Sequence, residues 1–183
     1  DCLSTPQVNA LQQLFAGPLT KSGRQVYGPF NYDTGIASAS WRGMRLGTAP
    51  DGEANSADAT LGLGQFRFYQ LTPPDPGFDP LAPFDVDAML ERSRYTAALG
   101  DGDSPYLETF VRRGKMIVYN GLADQGMASS EIIKWYEHAV AATGPAVRDS
   151  VRLYFVPGMT HCSGGEATDR FDMLTPLMEW VEH

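Results

Sequence analysis

The sequence predicts an α/β fold, on two observations. First, residues 115–120 (KMIVYN) and 151–156 (VRLYFV) are short, largely apolar runs bounded by turn residues, which is typical of strands buried in a parallel sheet. Second, a loop and then a helical pattern follow each run. Two strand, loop and helix units in tandem imply a parallel sheet with a right-handed crossover.

The helices of this orderly region, residues 106–183, follow from periodicity and from residues that end helices. A short helix is predicted over 105–113, with Tyr106, Leu107 and Phe110 facing inward and Gly114 ending it. A longer helix is predicted from Ser129 or Ser130 to Gly144, and a closing helix over 171–182.

Residues 1–105 have a different texture, rich in loops and in Gly and Pro. Ser4 or Thr5 is expected to cap a first helix that stops at residues 17–18, and a turn is expected at 21–24. Residues 28–53 lack clean periodicity and are interpreted as an ordered loop around Trp41. We therefore expect a loop-rich portion over 1–105 and an α/β portion over 106–183.

Helical spacing returns in the second half of this loop-rich portion. Residues 58–71 carry apolar side chains at helical spacing, whereas the prolines of 73–83 exclude regular structure. Residues 86–99 then predict a helix with Met89, Leu90 and Leu99 inward.

Charge and composition limit the classes of function. The 183 residues include 22 acidic and 14 basic side chains, for a net charge of −8, which repels nucleic acid and anionic lipid and disfavours both as partners. No apolar run approaches the roughly 20 residues of a membrane span. Residues 1–30 lack a targeting pattern, so we expect any export signal upstream of Asp1.

Two loops are expected to carry the chemistry. Ligands of an open α/β sheet bind beyond the carboxyl ends of the strands, so the loops after Asn120 and Val156 should share one edge. One loop contains Asp124 and the other His161. In a hydrolase, an aspartate can orient an imidazole and stabilise the imidazolium that forms when histidine takes a proton from a nucleophile.

The nucleophile is not evident. No G-x-S-x-G run occurs in the 183 residues, and Ser163 follows His161 too closely to attack from another strand end. Asp124 could instead simply form a turn, and His161 could be an ordinary loop histidine. Cys162 could act as a nucleophile, but adjacent loop residues rarely aim their side chains at each other.

Several motifs together resemble the C-terminal part of the tannase and feruloyl esterase family. They are CLSTPQV at 2–8, FRFY at 66–69, FDP at 78–80, RGK at 113–115, GLAD at 121–124 and, most specific, VPGMTHC at 156–162. The resemblance implies a secreted or periplasmic serine esterase with a lid domain inserted into an α/β-hydrolase core. It implies that residues 1–105 belong to the lid and that residues 106–183 form the C-terminal part of the core.

Roles for residues follow from the same resemblance. It implies esters of aromatic acids, such as gallate, ferulate or terephthalate monoesters, as substrates, with Asp124 as the triad acid and His161 as the general base. The serine half is expected upstream of Asp1, as the N-terminal half of the same enzyme, and this chain alone is expected to be inactive. The calcium site of the family's lid is also expected upstream.

Pairing of the two cysteines is implied by the resemblance as well. Cys162 is expected to form a disulfide with a cysteine that precedes the absent serine, and Cys2 with another upstream cysteine. From the residues alone, a bridge between Cys2 and Cys162 stays open.

An aromatic acyl group would be bound by aromatic and thioether side chains. Met127, Trp41, Phe66 and Tyr69 are candidates, although packing in the core is the commoner role of such residues. The acidic residues of 75–87 are interrupted by prolines and lack an EF-hand pattern, so no metal or other cofactor is predicted in this chain.

Two other functions stay open from the sequence. The chain could be a binding or structural module that kept an α/β scaffold without chemistry, because fold does not fix function. It could also be part of an α/β-hydrolase peptidase that uses the same acid and base.

Overall fold

Two parallel strands with flanking helices form the ordered centre of the computed structural model, which describes residues 2–183. The elements in chain order are α1 (Thr5–Ala16), α2 (Ala39–Arg45), α3 (Ala57–Gln65), α4 (Val86–Gly100), β1 (Met116–Gly121), α5 (Ser129–Thr143), α6 (Ala146–Ser150), β2 (Val151–Val156) and α7 (Leu174–Glu182). The predicted α/β fold is confirmed.

The sheet brings the carboxyl ends of its two strands together. β1 and β2 pair in parallel from Met116 opposite Val151 to Gly121 opposite Val156. The predicted bounds of both strands agree with the structure to within one residue, because apolar runs of this length between turn residues are typical of buried strands. Tyr119 and Tyr154 face each other and are about half exposed, so that face of the sheet is less buried than expected.

The hydrophobic core lies where α5 and α6 pack beside the strands. Its centre is the fully buried trio of Ala139, Val147 and Val151. Half-buried apolar side chains from β1, from α5 and from the segment before β1 close around it: Leu107, Phe110, Val111, Met116, Val118, Tyr136 and Val140. This packing holds α5 against the strands and so fixes the start of α5 beside the end of β1.

The prediction of a helix over 105–113 is wrong apart from one 3-10 turn, Phe110–Arg112. Tertiary hydrogen bonds take the place of helical ones here, since Leu107 N–H donates to Thr143 Oγ1 at 2.8 Å. Leu107 and Phe110 do pack on the core, whereas Tyr106 is exposed.

The last helix, α7, begins three residues later than predicted. The Asp172 carboxylate accepts hydrogen bonds from the N–H groups of Leu174 and Thr175 and so fixes the start of the helix there. Phe171 lies outside the helix and packs edge-on against the Tyr119 ring.

The expected loop over 28–53 contains regular structure. A 3-10 turn, Thr34–Ala37, leads into α2, whose N-terminus is capped by Ser38 through a hydrogen bond from Trp41 N–H. Trp41 is buried and stacks on the Phe15 ring of α1, with ring centroids 5.6 Å apart. This tertiary stack stabilises a helix too short for its periodicity to be recognised.

The other elements of residues 1–105 follow the sequence more closely. In α1, Ser4 N–H donates to Gln7 Oε1 at 2.9 Å, as in a capping box. Helix α3 continues into a π-helical turn, Phe66–Gln70, and the proline-rich stretch after it is irregular. Helix α4 is capped by Asp85, but Leu99 is exposed rather than inward, because it lies on the solvent face of the last turn.

Candidate active site

The acid loop, residues 122–128, joins β1 to α5 and wraps around the carboxylate of Asp124. Asp124 Oδ1 accepts hydrogen bonds from Gly126 N–H at 2.7 Å and Met127 N–H at 2.9 Å. This local bonding is the usual preference of aspartate in turns. Because only 6% of the residue is exposed, the carboxylate is held in one position.

The base loop, residues 157–165, follows β2 and carries His161. Gly158, Gly164 and Gly165 adopt positive φ angles in this tight path, and so does Cys162 at φ 63°. Thr160 is buried, and its hydroxyl donates to Ser163 C=O at 2.7 Å across the loop. The bends and this internal bond turn the loop back over the end of the sheet.

Backbone hydrogen bonds join the two loops. Leu122 N–H donates to Val156 C=O at 2.9 Å, and Ala123 N–H donates to Met159 C=O at 3.1 Å. Because these bonds continue the pairing of the parallel strands beyond their ends, the acid and base loops form one layer.

The side chain of Gln125 joins the loops a third time. His161 N–H donates to Gln125 Oε1 at 3.2 Å, and Gln125 is itself buried. The backbone of the histidine is therefore bonded to the residue next to the aspartate.

Asp124 and His161 are in direct contact. His161 Nδ1 lies 3.2 Å from both Oδ1 and Oδ2 of Asp124. An ionised carboxylate only accepts hydrogen bonds, so Nδ1 carries the hydrogen, and in a neutral ring Nε2 is then the free basic nitrogen. The His161 side chain is 43% exposed while that of Asp124 is 4% exposed, so the buried acid orients an accessible base.

Residues before β1 support both loops. Asp33 Oδ1 accepts from Gly158 N–H at 2.9 Å in the base loop, and Ser40 Oγ donates to Thr160 Oγ1 at 3.2 Å. Asn31 Nδ2 donates to Leu122 C=O at 3.2 Å in the acid loop. Sequence reasoning missed these three residues because no local pattern marks a polar side chain that bonds a loop about 90 or more positions away.

A cleft runs along the exposed side of His161. Tyr27, Met127, Trp135, His161 and Cys162 are among its lining residues. Met127 therefore lies beside the acid and base, and its contact with an acyl group stays a prediction.

The three aromatic candidates for the acyl pocket do not line the cleft at His161. Trp41 is buried against Phe15, and Phe66 packs on Phe78 with ring centroids 5.2 Å apart. Tyr69 is exposed and lines a separate shallow hollow beside α3. The structure therefore does not bring them to the cleft at His161, because the first two rings are used in packing and the third is on another surface.

Neither cysteine is paired in residues 2–183. Cys2 and Cys162 are both exposed free thiols, so the bridge between them that the sequence left open does not form here. In the same part of the chain, no group of three or more His, Cys, Asp or Glu side chains is arranged to hold a metal ion. The calcium site expected upstream of Asp1 and the lack of a cofactor expected for this chain both stay predictions.

Shifted pKa values occur in other segments. The hydrogen bond from Lys21 to Asp85 lowers the pKa of that carboxyl and raises the pKa of the lysine. Burial raises the pKa of Asp58 despite its ion pair with Arg45. Hydrogen bonds from the residues that start α7 lower the pKa of Asp172.

The helices of residues 2–183 include none that is both long and apolar enough to span a bilayer.

A family model described as tannase and feruloyl esterase matches residues 1–183. Among relatives, the chain is 35% identical over 209 residues to a mono(2-hydroxyethyl) terephthalate hydrolase of Piscinibacter sakaiensis, covering 100% of this chain and 34% of that protein. It is 22% identical over 208 residues to a probable feruloyl esterase B-2 of Aspergillus flavus, covering 100% of this chain and 36% of that protein.

Solved structures give the same fold. Feruloyl esterase B from Aspergillus oryzae superposes with a TM-score of 0.70 at 20% identity over 99% of this chain and 37% of that one. The tannin acyl hydrolase from Aspergillus niger superposes with a TM-score of 0.74 at 17% identity over 100% of this chain and 35% of that one. The chain thus spans about a third of the length of these relatives.

Proposed function

The chain belongs to the tannase and feruloyl esterase family, and from that premise we propose that it supplies the acid and the base of a serine-type carboxylic ester hydrolase. The observation that carries the proposal is the contact of His161 Nδ1 with both oxygens of Asp124 at 3.2 Å. A buried carboxylate that fixes the tautomer of an accessible imidazole is the arrangement that nucleophilic acyl transfer requires.

In this mechanism, a serine outside residues 1–183 attacks the ester carbonyl. His161 Nε2 takes the proton of the serine hydroxyl as the new bond to carbon forms, and Asp124 stabilises the resulting imidazolium. The imidazolium returns the proton to the departing alcohol, which leaves an acyl-enzyme. Water then attacks the acyl-enzyme by the same transfer of a proton to His161, and the carboxylic acid and free serine are released.

We assign esters of aromatic carboxylic acids as the substrate class. The names of the relatives refer to a terephthalate monoester and to feruloyl esters, both of which carry an aromatic acyl group. Met127 lies in the cleft at His161 and offers a thioether surface for a flat ring. The N-terminal half of the same enzyme would contribute the rest of the pocket, together with the serine.

The exposed Cys162 supports a covalent link between the two halves. Cys162 is the residue after His161, and it lines the same cleft with an exposed thiol. A cysteine next to the serine in the other half of the enzyme would come close to this thiol. Such a disulfide would hold base and nucleophile in register, and its formation requires a secreted or periplasmic location. Peptide mapping without reduction would reveal it as a cross-linked pair of peptides that contains Cys162.

The test is hydrolysis of methyl gallate, methyl ferulate and a terephthalate monoester by this chain joined to, or reconstituted with, the serine-bearing half. We expect turnover of at least one ester, and we expect His161→Ala to lower kcat by at least about a thousandfold. His183→Ala, which replaces an exposed histidine that is not among the residues lining the cleft, is the matched control and should retain activity. Full activity of His161→Ala would reject the assignment.

A further inference from the structure

A series of consecutive hydrogen bonds lies beneath Asp124 and reaches back to the segment before α2. Asn120, near the end of β1, donates from Nδ2 to Asp124 Oδ2 at 2.9 Å. Ser129 Oγ, at the start of α5, donates to Asn120 Oδ1 at 2.8 Å. Asn31 Nδ2 donates to Ser129 Oγ at 3.1 Å. Asn120, Ser129 and Asp124 are all more than nine-tenths buried.

The direction of each hydrogen bond in this series follows from which groups can donate and which can only accept. An ionised carboxylate only accepts, so Asn120 must present its NH₂ group to Asp124 and its carbonyl oxygen to Ser129. The serine hydroxyl has one hydrogen, which goes to that carbonyl oxygen, so its own oxygen accepts from Asn31. All the donated hydrogens therefore point towards Asp124, and no member can turn around without losing a partner.

The acceptor sites of the carboxylate show what Asn120 does. A carboxylate has about four lone-pair sites. Two on Oδ1 take the N–H groups of Gly126 and Met127, and one on Oδ2 takes the Asn120 amide. One site is then left for the imidazole of His161.

We infer that Asn120 is a positioning residue for the base, acting through Asp124, and that Ser129 holds Asn120 in the donating orientation. The inference rests on the proposed ester hydrolysis and deepens it. Without the Asn120 donor, Oδ2 has no protein partner besides the imidazole, and only the two N–H bonds to Oδ1 still fix the plane of the carboxylate. The imidazole would then lose its fixed tautomer and direction. Asn31 extends the support to the segment before α2.

The decisive variant is Asn120→Asp in the active esterase that contains this chain. It keeps the shape of the side chain but replaces the amide donor with a carboxyl group, which at pH 8 has lost its proton and lies as an acceptor against Asp124. We expect kcat to fall about tenfold to a hundredfold at pH 8 with KM nearly unchanged, because only the orientation of the base is lost.

A shared proton should restore the donor at lower pH. Two adjacent carboxyl groups hold one proton up to an unusually high pH, and that proton can replace the amide hydrogen. The ratio of Asn120→Asp activity to wild-type activity should therefore rise as the pH is lowered towards 5.5. The ratio is taken per folded molecule, with the folded fraction measured by circular dichroism at each pH, because a buried pair of carboxylates also destabilises the fold as the pH rises. A role in packing alone then predicts a ratio that does not depend on pH, and such a constant ratio overturns the inference.

Ser129→Ala tests the second link, with Ser150→Ala as its matched control. Both serines are 3% exposed, but Ser150 directly precedes β2, at the end of the strand away from the base loop, and donates to Val111 C=O. Both variants should lower Tm, and only Ser129→Ala should also lower kcat, by about tenfold. An equal kcat in the two variants, or a loss confined to Tm, contradicts the role of Ser129. If Ser129→Ala does not fold, the pH ratio of Asn120→Asp decides the inference alone.

His161→Ala separates the inference from the function on which it rests. If His161→Ala keeps full activity, the ester hydrolysis assignment itself fails. If His161→Ala is inactive and Asn120→Asp follows the wild type at every pH, the assignment stands and the positioning role of Asn120 is rejected.

Discussion

Replacing Gly121 with alanine should separate the base loop from the acid loop. Gly121 ends β1, and the base loop passes directly over it. A Cβ atom there would lie 2.1 Å from Met159 O, 2.6 Å from Met159 C and 3.0 Å from Thr160 O. These are backbone atoms that precede His161, so no side-chain rotation relieves the clash and the loop itself must move.

The size of the movement follows from the contact. Ordinary van der Waals contact of a Cβ begins at 3.4 Å, so Met159 O must retreat by about 1.3 Å from its present 2.1 Å. This oxygen also accepts the hydrogen bond from Ala123 N–H, which would lengthen. We expect Gly121→Ala to lower the free energy of unfolding by about 1–3 kcal/mol, as overpacking does. A displacement of this size should also lower the rate of ester hydrolysis by about a hundredfold.

The assay is urea denaturation followed by fluorescence, together with the rate of ester hydrolysis after this chain is joined to, or reconstituted with, the serine-bearing half. Gly62→Ala is the matched control because nothing lies within 4 Å of its Cβ position in α3. It should raise the free energy of unfolding by about 0.5–1 kcal/mol through the higher helix propensity of alanine, at unchanged rate. Wild-type stability and rate in Gly121→Ala would refute the close approach of the two loops.

Three further predictions concern the support of the site. Trp41→Ala should cost about 3–5 kcal/mol in urea denaturation, because the ring is buried in an aromatic stack, and a loss below about 1 kcal/mol would contradict its place in the core. Asp33→Ala should speed hydrogen exchange at Gly158 N–H, which would have lost its acceptor, and unchanged exchange would refute this anchor. Lys21→Met should lower Tm at pH 7 by a small amount. Because Lys21 lowers the pKa of Asp85 below its ordinary 3.8, that difference should vanish as the pH falls through the lowered pKa, and a difference that persists in acid would count against the pair.

The sequence predicts those parts of the fold whose information is local. Residues 115–120 and 151–156 are recognisable as strands because a buried parallel strand is an uninterrupted apolar run. The proximity of Asp124 and His161 then required only the rule that parallel strands end at a common edge. For this reason the sequence predicts that Asp124 and His161 lie close together, although they belong to two different loops.

What the sequence did not predict depends on tertiary contacts. Helix α2 has seven residues and an internal Gly43, and the stacking of Trp41 on Phe15 rather than helix propensity stabilises it. Trp41 and Phe66 were candidates for substrate binding because sequence cannot distinguish a ring in the core from a ring in a pocket. Asn31 gives no local signal either, because its partners are distant in the chain.

A double-mutant cycle on kcat tests most directly whether Asp124 acts through His161, as proposed. Asp124→Asn, His161→Ala and the double variant are to be compared on one aromatic ester in the active esterase. If the pair works as a unit, Asp124→Asn alone lowers kcat by orders of magnitude, and adding it to His161→Ala lowers kcat no further. If the two losses multiply in the double variant, or if either single variant keeps wild-type activity, the account of this site is wrong.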